Sequence, residues 1–143
     1  MLNLIAIRMY VLVAVGGAIG SVFRYWLSNL GDTLTHGAFP WGTLWVNWIG
    51  CFVIGIFSEA TKASAMMPLS AETRNFMIVG ICGGFTTFSS FSLGTLSLWN
   101  HGLVWQPVSY ILMSAIGCLL AVAFGVWLVG FTHLTTEDVQ WRE

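Results

Sequence analysis

The sequence predicts an all-α membrane protein of four transmembrane helices, the third of them broken near its middle. Three observations carry that expectation. Of 143 residues, 57% are hydrophobic and only 8% are charged, whereas a soluble domain carries roughly 25% charged residues. Four apolar segments, at about 4–30, 42–60, 71–99 and 103–131, each reach the ~20 residues that a membrane crossing needs. The third segment also carries the pair Gly83-Gly84 at mid-depth, followed at once by hydroxyls. Neither a linker nor an internal repeat marks a second domain, so residues 1–143 read as one unit.

Composition excludes several classes. With a net charge of −1 and no basic run, nucleic acid is not an expected partner. Cys51, Cys82 and Cys118 are far apart and show no C-x-x-C spacing, which argues against a zinc site or a disulfide framework and for small packing residues. The apolar N-terminus has no charged leader ahead of it and no A-x-A cleavage pattern, so it reads as the start of a retained helix. Catalytic constellations are missing as well. The three histidines fall in loops or at segment ends, no two carboxylates meet within an apolar segment, and glycine-rich nucleotide signatures are absent. An enzyme is not expected.

The first span holds Gly16-x-x-x-Gly20 and, one residue on, Gly17-x-x-x-Ser21. Small residues four apart let helix backbones approach closely in lipid, so tight helix packing is the expected use. Arg24, near the far end of this span, either snorkels to the interface or faces a wet vestibule. The connection Gly31 to Trp41 contains Asp32, His36 and Pro40. In the second span, Asn47 shares a face with Thr43 and Gly50. A buried amide must find partners there, either on a neighbouring helix or on a ligand. Glu59 and Lys62 close the span at the interface. Beyond Pro68, Ser70 is placed to cap the third span, with Glu72 in its first turn where the dipole favours an acid.

The third span meets Gly80, Gly83 and Gly84. The consecutive glycines relax the φ restriction, so the break is expected at that pair, with Thr86 and Thr87 capping the second half. Non-helical backbone at membrane depth survives only where protein or a wet cavity covers it; a simple kink is the blander outcome. Phe88, Phe91, Ser92 and Thr95 then form one helical stripe, either packing or the wall of a narrow polar path. After the short turn His101-Gly102, the fourth span lines Tyr110, Ser114, Gly117, Cys118, Ala121 and Gly125 along one face. The tail from Thr132 is polar and acidic and is expected to be mobile. Trp26, Trp41, Trp99, Trp105 and Trp127 lie towards segment ends, as an aromatic belt requires. Arg8, Lys62, Arg74 and Arg142 fall on one side of the four spans and Arg24 alone on the other, which favours cytoplasmic termini.

The chemistry offered is a polar, aromatic path without fixed negative charge. Hydroxyls and an amide N–H₂ donate to an anion, and ring edges carry the positive part of the aromatic quadrupole. Carbonyls freed at a helix break face a cation instead.

Gly83-Gly84-Phe85-Thr86-Thr87-Phe88-Ser89-Ser90-Phe91-Ser92, together with Gly42-Thr43-Leu44-x-x-Asn47 and four spans in this length, resembles the Fluc, or CrcB-type, fluoride channels. The similarity covers essentially the whole chain. It implies an antiparallel, dual-topology homodimer with two fluoride pores and a central structural sodium ion. By resemblance, Phe88 and Phe91 match the phenylalanine box that faces fluoride, Asn47 the pore asparagine, and Thr43 the residue one turn before it. Ser89, Ser90 and Ser92 correspond to the hydroxyl track, Tyr110 and Ser114 to pore-facing positions of the fourth span, and Arg24 to the vestibule arginine. Gly83 and Thr86 match the residues whose carbonyls hold sodium.

Two departures stand out. Many members carry a glutamate where this chain has Gly94, and some carry a second serine where it has Cys118. The uneven Lys/Arg distribution also sits awkwardly with dual topology. The resemblance implies a passive channel in the cell inner membrane that exports fluoride and relieves its toxicity. The alternative is a proton-coupled small multidrug-type exporter, which needs an ionisable acid deep in the membrane; the first span has no Asp or Glu.

Overall fold

The computed structural model describes residues 4–37, 39–61, 69–102 and 104–140. Six α-helices run in the order α1 (Leu4–Leu34), α2 (Trp41–Ala60), α3 (Ala71–Asn75), α4 (Gly83–Phe85), α5 (Phe88–Asn100) and α6 (Trp105–Gln140), with a π-helical stretch at Phe76–Cys82 between α3 and α4. Four helical segments are long and apolar enough to cross a membrane: Ala6–Leu34, Trp41–Ala60, Ala71–Asn100 and Trp105–Phe131. Among the described residues there is no strand. The sequence expectations on Lys62, Pro68, the start of the fourth span at Leu103, and Arg142 lie outside the described residues.

The first and fourth spans run on past the ends read from the sequence. α1 continues past Gly31 to Leu34, so Asp32 sits on a helix and not in a loop. From there its Oδ1 accepts from the Gly42 N–H at 2.9 Å. Pro40, at the N-cap of α2, offers no side-chain cap, and a carboxylate from the preceding helix takes that role at the positive end of the dipole. The helical backbone of α6 also runs on through the polar segment to Gln140. At the third span, Ser70 caps α3 by accepting from Thr73 N–H at 3.2 Å, and Glu72 pairs with Arg8 of α1 at 3.1 Å.

The glycine pair of the third span is helical. Gly83 has φ −64° and ψ −37°; the extended residues are Thr86 (ψ 153°) and Thr87 (φ −148°, ψ 117°). The glycines serve close approach. A methyl group at Gly20 would collide with the Ile81 carbonyl, and one at Gly84 would stand 2.9 Å from the Gly17 Cα. A methyl at Gly16 would lie 2.8 Å from the Phe76 carbonyl oxygen. The small-residue spacing of α1 therefore seats the third span directly on its backbone, and the Ser21 hydroxyl reaches the Gly84 carbonyl at 3.4 Å.

α2 and α6 form the most extensive helix pair. The core lies at their first turns, where buried Leu44 and Tyr110 meet Leu98 of α5, flanked by Phe39, Trp41, Trp48, Phe91 and Met113. Large apolar side chains such as Phe23, Trp26, Leu93, Trp99 and Leu119 are exposed. That inversion of the soluble pattern suits a hydrocarbon surrounding.

Candidate functional site

α2 and α6 run in the same direction and keep one register over four turns. Thr43 faces Tyr110, Asn47 and Ser114 border one cavity, and Cys51 and Cys118 border it a turn further on. At Gly55 the backbones touch, because a methyl there would collide with the Val122 carbonyl. Trp48 wedges against Gly117 and donates its indole N–H to the Met113 carbonyl at 3.0 Å. Each rung is one i→i+4 step from the last, so both helices turn a single face towards each other.

Asn47 joins this pair to the third span. Its Nδ2 donates to the Thr87 carbonyl at 3.0 Å, and the Thr87 N–H donates to its Oδ1 at 2.8 Å. The reciprocal pair satisfies backbone groups that an unbroken helix would have used internally. Thr87 in turn caps α5, its Oγ1 accepting from Ser90 N–H at 3.1 Å. Of the two uses open to Asn47 from its spacing, helix-to-helix bonding is present. An amide N–H₂ has two donors, so one remains beyond the bond to Thr87.

The resulting cavity, about 310 Å³, is lined by Asn47, Cys51, Thr86, Thr87, Phe88, Phe91, Ser114, Ala115 and Cys118. No carboxylate borders it. Ser114 is 6% exposed and its hydroxyl has no hydrogen-bond partner, while the fully buried Tyr110 lies outside the cavity lining, against Thr43. A buried hydroxyl without a partner costs about 1–3 kcal/mol, which makes Ser114 the unsatisfied hydroxyl of the site. Phe91 packs on Tyr110 with ring centroids 5.3 Å apart and on Phe88 at 5.4 Å. Phe88 itself is 78% exposed.

The remaining sequence candidates are distributed around this cavity. Ser92 and Thr95 border an adjoining groove of about 400 Å³ that shares Phe91 as its wall. Their hydroxyls donate to the carbonyls of Phe88 and Phe91 one turn back, at 3.0 and 2.9 Å, so they present lone pairs to the groove. Ser89 and Ser90 bond the Thr87 hydroxyl, each at 3.1 Å. Arg24 and Gly83 border neither cavity. Gly94 opens on a separate cavity of about 470 Å³ with Asp32, Ser97, His101 and Gln106. Sequence reasoning missed Cys51 as a lining residue. Its i+4 spacing from Asn47 was the available signal, but which face of α2 meets α6 is a tertiary fact.

Around Gly83 and Thr86 the carbonyls have lost their helical donors. The Thr87 N–H, which would bond Gly83 O in a helix, goes to Asn47; the Ser90 N–H, which would bond Thr86 O, goes to Thr87 Oγ1. Carbonyl oxygens of this kind are the hard donors that a hard cation takes.

Comparison with known proteins matches residues 11–126 to the family described as CrcB-like protein, Camphor Resistance (CrcB). A relative from Rhodospirillum rubrum named fluoride-specific ion channel FluC is 44% identical over 119 residues, covering 83% of this chain and 89% of the relative. Proteins of the same name from Opitutus terrae and Rhizobium etli are similar at 44% over 127 residues (88% of this chain, 96% of the relative) and 49% over 113 residues (79% and 88%).

Proposed function

The chain belongs to the CrcB-like family, and we propose that it is a passive, fluoride-selective channel that carries fluoride out of the cell. The carrying observation is the cavity at Asn47 and Ser114: an unpartnered Ser114 hydroxyl beside an amide with a second N–H, and no carboxylate in the lining. A small anion entering there gains the Ser114 hydroxyl and the second Asn47 N–H, and loses hydration in exchange. Charge-assisted bonds of this kind contribute about 1.5–3 kcal/mol each. Because the donors are fixed by the Asn47–Thr87 pair and by the α2–α6 register, they fit a small anion and reach a larger one poorly. Phe91 supplies an apolar wall whose ring edge is the favourable side for a negative charge. Passive export relieves toxicity wherever acid surroundings bring HF in and the near-neutral interior ionises it.

The chain is a multi-pass membrane protein, and its working form in this reading is an antiparallel homodimer in the bacterial inner membrane. Exposed Phe88 and the bare apolar faces of α5 and α6 support a second copy and lipid as their covering. The Gly83 and Thr86 carbonyls would hold part of a structural sodium ion, the second copy supplying the other oxygens; sodium would neutralise carbonyl dipoles at the span's interruption, where Thr86 and Thr87 leave the helix. Arg24, which borders neither cavity, would act in the outer vestibule by attracting anions. A proton-coupled exporter would need an acid in the cavity, and none borders it.

Efflux from liposomes containing the purified protein, followed with a fluoride electrode and repeated with chloride, tests the function. Fluoride should leave fast and chloride should stay. Equal passage of both ions, or retention of fluoride, would overturn it.

A further inference from the structure

Two of the nine residues around the cavity are cysteines, and the anion path has no evident use for a thiol, a weak donor. Cys51 on α2 and Cys118 on α6 occupy the same rung of the helix pair, one turn beyond Asn47 and Ser114 and one turn before Gly55 and Val122. Both thiols border the same cavity at that rung. Backbone contact at Gly55, one turn on, sets the helix spacing beside this rung. Both are free and partly accessible.

We propose that Cys51 and Cys118 form a two-thiol binding site for a soft, two-coordinate monovalent cation of the copper(I) or silver(I) class, opening on the ion cavity. Ligand chemistry selects the class. Thiolate sulfur prefers soft cations, and hard cations need oxygen ligands, of which the surrounding side chains offer hydroxyls and one amide but no carboxylate. No group of three or more metal-ligating side chains occurs among the described residues, which disfavours tetrahedral zinc and leaves linear two-sulfur coordination. Binding exchanges two S–H protons, released to water, for one cation on two thiolates. The pair passes from neutral to a net charge of −1. That centre both narrows the cavity and repels an anion, so occupancy should block the path.

The third thiol is an internal control. Cys82 is 3% exposed and borders a different, wholly apolar-lined cavity with Gly20, Phe23, Ile49, Gly50 and Val53.

The test has a metal arm and a flux arm. Purified protein is loaded with silver nitrate in halide-free buffer, washed with a weak competing ligand, and analysed for retained silver. Wild type and Cys82→Ser should each keep about one silver per chain with two sulfur ligands by X-ray absorption. Cys51→Ser and Cys118→Ser should each lose affinity by at least about 10–100-fold, the loss typical when only a ligand's outer partner is removed. Undiminished retention in either serine variant, or one sulfur ligand in wild type, would overturn the site. If those variants fold poorly, the sulfur count in wild type still decides. The flux arm rests on the channel reading: silver should stop fluoride efflux in wild type, a dithiol should restore it, and Cys118→Ser, normalised to its own silver-free rate, should resist. Block of Cys118→Ser equal to wild type would overturn the link to the path. Absence of fluoride flux before silver is added would count against the channel reading alone, because retained silver is measured separately.

Discussion

Between α1 and the first half of the third span the backbones touch through interlocking glycines, whereas between α2 and α6 they touch at one end and part at the other. Gly16, Gly20, Gly80 and Gly84 interlock so closely that a single methyl at any of them meets main-chain atoms. Along α2 and α6 the same four-residue spacing carries Thr43, Asn47, Cys51 and Gly55 opposite Tyr110, Ser114, Cys118 and Val122. The pair closes backbone to backbone at Gly55 and Gly125, whereas Trp48 stands between the helices nearer their start, and polar side chains stand at the gap. Small-residue spacing alone therefore does not say whether a membrane seam is sealed or hollow. The residue between the small ones decides.

The sharpest way to break that contrast is to fill the sealed seam. Gly20→Leu would drive a side chain into the Ile81 carbonyl and the Phe85 N–H. Overpacking in a core usually costs about 1–3 kcal/mol, and here the obstruction is main chain, which cannot swing aside. The monodisperse fraction in detergent should collapse. Gly17→Ala, in the offset motif of the same helix but with open space beside it, should stay within about 0.5 kcal/mol of wild type. Equal tolerance of both would mean that the seam is not close-packed.

The hollow seam breaks at Asn47. Asn47→Asp keeps an acceptor for the Thr87 N–H but removes the donor to the Thr87 carbonyl and places a negative charge beside the cavity. Stability should fall by about 1–3 kcal/mol through the orphaned carbonyl. Fluoride efflux should fall by about a hundredfold, roughly 2.7 kcal/mol in the barrier, while the size-exclusion profile stays that of wild type. Wild-type efflux would place the path elsewhere.

How much of this contrast was readable beforehand follows from where its causes lie. The four spans and the Ser70 cap are local properties of hydropathy and of a hydroxyl before a helical run, so the sequence carries them directly. The expectation of extended backbone at Gly83-Gly84 was not met, because both residues are helical. Glycine permits extended backbone, yet Thr86 and Thr87 adopt it, held by a bond from Asn47, 40 positions away. Asp32 capping α2 and the Cys51–Cys118 rung escaped for the same reason: both depend on which helix faces which. Phe88, Phe91, Asn47 and Ser114 do converge on one cavity, whereas Ser89, Ser92, Arg24 and Gly83 do not border it. Periodicity groups residues by face, but only packing divides one face between two cavities.

Phe91 tests that division, since it walls both the cavity and the adjoining groove. Phe91→Ile keeps an apolar wall but removes the ring edge and its contact with Tyr110. Efflux should slow by about tenfold, equivalent to ~1.4 kcal/mol, with little change in assembly. An unaltered rate would show that the ring packs the core and takes no part in the path.

The smallest expected effect separates two serines that sequence treats alike. Ser114 keeps its hydroxyl proton unengaged within the cavity, whereas Ser92 gives its proton to the Phe88 carbonyl. If unengaged donors carry the anion, Ser114→Ala should slow fluoride severalfold, part of the ~1.5–3 kcal/mol that one charge-assisted bond supplies. Stability should hold or rise slightly, because an unpartnered buried hydroxyl has been removed. Ser92→Ala should leave efflux near wild type, since its lone pairs face the groove and repel an anion. The paired measurement reads proton direction, which neither exposure nor residue type reveals. A larger loss at Ser92 than at Ser114 would mean that the conducting route follows the Ser92 groove and that the Asn47–Ser114 cavity lies beside it.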